Sequence, residues 1–546
     1  MLSGNRTGNR LIGGTVADVL IGALGADRLE GGEGDDLLFG EDGGFTANPD
    51  GLATDDVLVG GQGSDRLIGG EGDDSLSGGS GDDLLVGGSV TYERFGNNFV
   101  LDGLLLMDGG RDTLDGGEGV DLGVLFYAGR KEAIRIDIRD TAAKNDLLFD
   151  GQVAGSVTSV ETLRFHGGDA DDRVETAAGY DVLQGGAGDD YLSAGAGDDT
   201  VNGGEGDDWL DGGYGADTVS FAGAASGITL DLRVTETQDT GGGGKDTIRN
   251  FENVVTTAFD DLVRGNDASN IIRDTEGGND RFFGDGGGDG LAVFRIGDIG
   301  SQTIVIDGGD GDDVLEYASG PVYNPRFFAD RYRNVDDVTV LGGAGNDSIY
   351  FSGQKTGVID AGDGDDELRV GMGGLAETSL DITLGEGRDT LWVRWTDVYL
   401  GEIDRLANVV GDFETGAGGD RMQLNGLLPW VQDGTNLFAY DLLRLVQDGD
   451  DVRLQVDGDG EGDQLQWRTF LTFEKTLAED FTADNFFITT GDGIFTPIEV
   501  VPIDPKERPG TAAPTLDAVL STMPGTHGAH DPLGSLRVNA FDYHIA

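Results

Sequence analysis

The chain contains no cysteine. Neither a disulfide nor a thiolate metal site can be built, so any cross-linking of the fold must come from other groups. Histidine is scarce, with four residues, and proline is rare, with 11 in 546 residues and seven of those after residue 496. Basic residues number 36 against 102 acidic ones, a formal net charge of −66. That balance makes nucleic acid and anionic membrane poor partners. No apolar run approaches the roughly 20 residues needed to span a bilayer, which argues against membrane insertion. The opening MLSGNRTGNRLIGG lacks the apolar centre of a secretory leader. No His-Glu-x-x-His zinc signature and no Gly-x-Ser-x-Gly nucleophile elbow occurs, so the sequence assigns no catalytic residue.

Glycine is what the chain has in excess, 98 residues without the Gly-X-Y period of collagen. Much of it sits in nine-residue units. Residues 60–86 read GGQGSDRLI, GGEGDDSLS, GGSGDDLLV, with Asp at position six (Asp65, Asp74, Asp83) and Leu at position eight (Leu67, Leu76, Leu85). Glycines permit φ > 0 and close approach of the backbone to an ion. Calcium takes six to eight oxygen ligands, mostly carboxylate and carbonyl. One turn cannot supply them, but stacked turns can. The three residues after each Asp make one short strand whose middle side chain points into a shared core, so the units must stack. Self-repulsion at −66 opposes compaction unless counter-ions neutralise it.

The period begins at Asp18, Asp27 and Asp36. It is interrupted by a polar loop around Asn48-Pro49, then resumes at Asp56 and runs to Gly88. Residues 89–108 leave the pattern, with apolar stretches at Phe99–Leu101 and Leu104–Met107. Looser repeats follow at Asp112 and Asp121. A longer unit, an aromatic after the repeat Asp and then an alternating strand (Ile134/Ile136/Ile138; Ile228/Leu230/Leu232), recurs at 121–174 and 217–263, with a worn copy at 313–349. These units read as β-excursions between stretches of roll. A second strong run carries Asp190, Asp199, Asp208 and Asp217. Scattered repeats follow at Asp246, Asp261, Asp280, Asp289, Asp313, Asp347, Asp366 and Asp389. LLRLVQDGDDVRLQV, near residue 450, reads as a β-hairpin. Beyond 491 the composition is that of a flexible tail.

These repeats resemble those of the RTX (hemolysin-type calcium-binding) family, and the likeness covers most of residues 11–490. The resemblance implies an all-β protein of right-handed parallel β-roll or β-helix segments with several calcium ions in the turns, closed by a β-rich C-terminal cap and followed by a flexible tail. It also implies a bacterial protein, secreted to the extracellular space by a type I secretion apparatus that reads an uncleaved C-terminal signal. The expected segments are an N-terminal roll (1–88), an irregular β insertion (89–165), a second roll with a β-excursion (166–300), a degenerate repeat region (301–404), the cap (405–490) and the tail (491–546).

The expected metal ligands are the position-six carboxylates Asp18, Asp27, Asp36, Asp56, Asp65, Asp74, Asp83, Asp121, Asp190, Asp199, Asp208, Asp217, Asp313, Asp347 and Asp366. The turn glycines Gly60, Gly61, Gly63, Gly69, Gly70, Gly72, Gly185, Gly186 and Gly188 join them through backbone carbonyls. Position-five acids (Asp35, Asp73, Asp82, Asp189, Asp198, Asp207) are ambiguous between further ligands and solvated charge, the latter favoured because position six already supplies the ligand face. Asp389, without a tandem neighbour, reads as an incomplete or absent site. Tyr191, Trp209, Phe221, Trp392 and Trp395 offer a carbohydrate-stacking face or, alternatively, packing. Gly241–Asp246 reads as a glycine loop rather than a phosphate loop, and His527, His530 and Asp531 as a weak zinc candidate. The expected role is structural, in a matrix, surface layer or adhesion, with self-assembly or cell-surface polysaccharide as partner. The alternatives are a polysaccharide-modifying enzyme with its site in 290–400, or a glycan-binding module.

Overall fold

The computed structural model describes residues 1–41, 54–88, 93–95, 98–100, 110–296, 302–320, 337–352, 356–373, 379–396, 408–424, 437–439, 442–456, 467–489 and 495–497. The expectations for Asn48-Pro49, Leu104–Met107, the histidine pair and the tail from 498 onward lie outside these residues. Among the described residues there is no α-helix, and the only helical turn is a 3₁₀ segment at Ala478–Asp480. The protein is an all-β parallel β-roll. It divides into two compact units, residues 1–285 and 286–546.

In the first unit each nonapeptide makes one short strand, and consecutive nonapeptides alternate between two parallel sheets. Leu20 pairs with Leu38, Leu38 with Leu67 and Leu67 with Leu85 in one sheet. Leu29, Leu58, Leu76 and Leu114 form the matching row in the other. A full turn therefore takes 18 residues where nothing is inserted. The position-eight leucines are at most 1% exposed. Ile21, Phe39, Ile68, Val86 and Val124, one residue further on, pack into a second row of core. Each rung thus contributes about two side chains to a thin core, and rungs are stable only beside other rungs.

Antiparallel strands mark the two excursions. Asn145–Phe149 pairs antiparallel with Gln152–Thr158 and with Ile134–Asp137, and Thr237–Asp239 pairs antiparallel with Lys245–Arg249. Ile134, Ile136 and Ile138 are buried, as are Ile228, Leu230 and Leu232, so the period-two alternation marks half-buried strands in both copies. Of residues 89–108, the described part is the antiparallel pair Glu93–Phe95 with Asn98–Val100.

The second unit uses the same alternation with longer strands. Thr303–Asp310, Asp337–Ala344, Thr356–Asp363 and Ser379–Thr383 stack in one sheet. Gly290–Ile296, Val314–Gly320, Ser348–Ser352, Glu367–Gly373 and Thr390–Thr396 stack in the other. Each strand buries two apolar residues, such as Ile304 with Ile306 and Leu315 with Tyr317. Arg421–Gln423 continues the second sheet in parallel register. Leu443–Asp448 and Asp451–Val456 form the hairpin expected from the sequence, and Arg468–Phe473 adds a third antiparallel strand. That strand lies on the final parallel strand, Val409–Val410, so the growing edge of the sheet is covered.

Candidate metal centre

The glycine turns bring the position-six carboxylates into two columns. In one, the amide of Asp18 donates to Asp36 Oδ1 at 2.7 Å, Asp36 to Asp65 at 2.8 Å, Asp65 to Asp83 at 2.7 Å and Asp83 to Asp121 at 2.8 Å. In the other, Asp27 donates to Asp56 at 2.6 Å, Asp56 to Asp74 at 2.7 Å and Asp74 to Asp112 at 2.9 Å. The second run repeats the pattern through Asp172, Asp190, Asp208 and Asp246, and through Asp181, Asp199 and Asp217. In the second unit one ladder runs Asp289, Asp313, Asp347, Asp366, Asp389, Asp420. Each carboxylate thereby satisfies a main-chain donor of the rung before it.

The second oxygen of these groups is the informative one. Oδ2 of Asp27, Asp36, Asp56, Asp65, Asp74, Asp83, Asp121, Asp190, Asp199, Asp217, Asp313, Asp347, Asp366 and Asp389 is buried and accepts no hydrogen bond. Burial, then the charges of neighbouring aspartates, push the carboxyls up, to about 8 for Asp56, about 9 for Asp74, about 8 for Asp190 and about 7 for Asp347; the amide bonds only partly offset this. A buried carboxylate oxygen without a donor is costly unless a proton or a cation meets it. Hard oxygen donors in this arrangement suit calcium. Among the described residues no three carboxylates or imidazoles converge to hold an ion by side chains alone. Backbone carbonyls are therefore needed to complete any site.

The glycines explain how carboxylate and backbone come so close. A Cβ on Gly60, Gly69 or Gly185 would collide with Oδ2 of Asp65, Asp74 or Asp190. Gly61, Gly63, Gly70, Gly72, Gly186 and Gly188 all hold φ between 110° and 128°. There a side chain would be strained and, at Gly61, would meet the carbonyl of Gly32 on the neighbouring rung.

The position-five acids are not merely solvated charge, and this corrects the sequence reading. They are exposed, yet Asp35 accepts the Ser64 amide at 3.0 Å, Asp73 the Arg111 amide, Asp82 the Val120 amide, Asp189 the Asp207 amide, Asp198 the Ala216 amide and Asp207 the Lys245 amide. This outer ladder runs toward the following rung, whereas the inner one runs toward the preceding rung.

The structure also corrects Asp389. Far from isolated, it accepts from Asp366 and donates to Asp420 Oδ1. Burial and the Asp420 charge raise its pKa. Insertions separate these rungs in sequence, not in space. Sequence reasoning passed over Asp172, Asp181 and Asp420, although GGDADDRVE, TAAGYDVLQ and TGAGGDRMQ each keep Asp at position six. It also passed over Glu161 and Glu252. These accept the amides of Asp121 and Asp217 at 3.0 and 2.9 Å, and no glycine turn announces them.

Some rungs satisfy their own carboxylate. The Thr257 hydroxyl and amide donate to Asp261, the Thr240 hydroxyl donates to Asp246 Oδ2, and the Gly168 amide donates to Asp172 Oδ2. Within Gly241–Asp246 the chain makes a tight turn, with Thr240 and Gly244 bonded to each other across it, as expected of a glycine loop.

The aromatic residues are used internally. Tyr191 and Trp209 stack at 4.1 Å with planes 2° apart, and the Arg173 guanidinium lies 3.6 Å from the Tyr191 ring centre. Arg369 sits over both Tyr350 and Trp392, and Phe221 is buried. These rings pack on each other and on arginine. The side chain of Trp395 lies outside the described part.

A family model for the RTX calcium-binding nonapeptide repeat matches residues 4–44, 50–89, 166–201, 194–223, 305–321 and 336–354. No curated protein was found to match the chain as a relative. The matched segments carry part of the buried aspartate ladders, Asp18 to Asp83, Asp172 to Asp217, Asp313 and Asp347, and such repeats bind calcium ions in multiple turns. The chain thus carries several copies of the RTX-type calcium-binding nonapeptide repeat.

Proposed function

We propose that this is a secreted structural protein that folds when it binds calcium outside the cell. Its metal ligands are the position-six aspartates named above, from Asp27 to Asp366, joined by Asp389 and by carbonyls of the turn glycines. The observation that carries the reading is the file of buried Oδ2 oxygens without donors. Bound calcium would supply the positive charge that these oxygens lack, and the binding free energy would then be folding free energy. At the low calcium level of a cytoplasm the −66 chain stays open for export through a type I apparatus. At extracellular levels it closes. A structural or matrix role is favoured because the acids and aromatics that could do chemistry bond neighbouring rungs instead. Among the described residues no helix is long and apolar enough to cross a membrane.

Calcium titration of the full chain, read by circular dichroism and light scattering together, tests this. The expected outcome is a cooperative gain of β-structure in the millimolar range, with assembly following folding. Native-like structure in excess chelator would overturn it.

A further inference from the structure

The turns fall into two kinds. In the first, the residues at positions two and four are left-handed. Gly61 and Gly63 before Asp65, Gly70 and Gly72 before Asp74, and Gly186 and Gly188 before Asp190 hold φ between 110° and 128°. The conformation persists even where it is strained: Ala23 and Asp285, at position two before Asp27 and Asp289, hold φ of 78° and 73°. In every one of these turns Oδ2 of the position-six aspartate is buried without a donor.

In the second kind neither position is left-handed. Asp172 follows Gly168 and Ala170, Asp261 follows Thr257 and Phe259, and Asn270 follows Asn266 and Ala268, and none of these six residues has a positive φ. Here the position-two amide turns inward. Gly168 donates to Asp172 Oδ2 at 3.1 Å, Thr257 to Asp261 Oδ2 at 2.8 Å and Asn266 to Asn270 Oδ1 at 2.7 Å. The accepting oxygens hold the same place in both kinds: a Cβ on Gly167 or Gly265 would meet Asp172 Oδ2 or Asn270 Oδ1, as one on Gly60 would meet Asp65 Oδ2. Asn270 goes further. It brings no charge for a cation, and its Nδ2 donates to the Glu252 carbonyl at 2.9 Å. Asp181 separates the two positions: Ala177 at position two is not left-handed, Gly179 at position four is, and Oδ2 stays without a donor. Asp246 keeps a left-handed Gly244, and its donor is the Thr240 hydroxyl, from outside the six-residue turn.

We propose that the residue at position four decides whether a turn holds an ion, and that the turns before Asp172, Asp261 and Asn270 hold none. The first of these lies inside a segment matched by the repeat family, so the sequence match alone does not mark an ion site. Glycine at position four lets the chain turn left-handed and leaves the position-six oxygen to a cation. A side chain there disfavours that conformation, and the turn closes on its own amide, which satisfies the buried oxygen without a metal. This rests on the reading of the roll as calcium-binding, and the experiment separates the two.

Bound ions are counted on full-length protein at saturating calcium by flow dialysis, with circular dichroism as the check on folding. Asp190→Asn, in a turn of the first kind, should lower the count. Asp172→Asn and Asp261→Asn should keep the wild-type count. Asn270→Asp, which supplies the missing carboxylate, should add no ion, because the Asn266 amide still meets its oxygen. Asn270→Asp combined with Asn266→Gly and Ala268→Gly restores the full glycine pattern and should add one. If an aspartate variant does not fold, the Asn270 series decides, and if the triple variant does not fold, the aspartate series does. An ion lost in Asp172→Asn or Asp261→Asn as in Asp190→Asn, an ion gained by Asn270→Asp alone, or no gain in the folded triple variant overturns the proposal while leaving the calcium roll intact. Failure of wild type to bind calcium at all would overturn the roll reading itself.

Discussion

Asp74 does two jobs that can be separated by substitution. Its Oδ1 accepts the Asp56 amide at 2.7 Å, and its Oδ2 is the buried oxygen assigned to calcium. Asp74→Asn retains an acceptor for the amide and removes the charge. Asp74→Ala removes both. Loss of one ion held at a hundred times its dissociation constant costs about 2.7 kcal/mol. A buried amide left without its acceptor costs about 1–3 kcal/mol more. The asparagine variant should therefore lose roughly 3 kcal/mol of calcium-loaded stability and the alanine variant roughly 4–6 kcal/mol. Urea unfolding at saturating calcium, followed by circular dichroism, measures both. Without calcium the order should invert for asparagine, because the uncompensated buried charge that disfavours the apo roll is gone. A wild-type calcium midpoint in Asp74→Asn would refute the role of Oδ2. Equal losses for the two variants would refute the role of Oδ1.

Asp389→Ala should raise the calcium midpoint about as much as Asp74→Ala, because both sit mid-ladder; a negligible shift would mean that its rung holds no ion. Gly79→Ala places a side chain at φ 118° against the Gly61 carbonyl and should destabilise the roll by about 1–3 kcal/mol, read as a raised calcium midpoint. Calcium-stripped protein should gain β-structure on acidification. Burial and neighbouring charges raise Asp74 to about 9, Asp56 to about 8 and Asp199 to about 7, so the apo stability they contribute is present below pH 4 and lost as pH rises through 6–9; circular dichroism that falls between pH 8 and pH 5 would contradict this. Deleting residues 491–546 should abolish export through a type I apparatus while residues 1–490 still fold with calcium, measured by secretion assay and circular dichroism; normal export would place the signal before residue 491.

Much of the architecture was legible before any coordinates because a rung is local. Glycine, aspartate and leucine at fixed places in nine residues dictate the turn, the carboxylate and the buried strand residue whatever surrounds them. Thus Asp65, Asp74 and Asp83, with Leu67, Leu76 and Leu85, could be placed from spacing alone. Only the tertiary structure decided which rung rests on which. The ladder spans 18 residues from Asp56 to Asp74, 38 from Asp74 to Asp112, 34 from Asp313 to Asp347 and 23 from Asp366 to Asp389, yet each step is a hydrogen bond of 2.7–2.9 Å. Insertions lengthen the chain between rungs without lengthening the distance across them. A repeat that looks solitary in sequence, like Asp389, is therefore stacked in space, and acids outside the pattern, Glu161 and Glu252, reach the ladder from turns that carry no glycine signature.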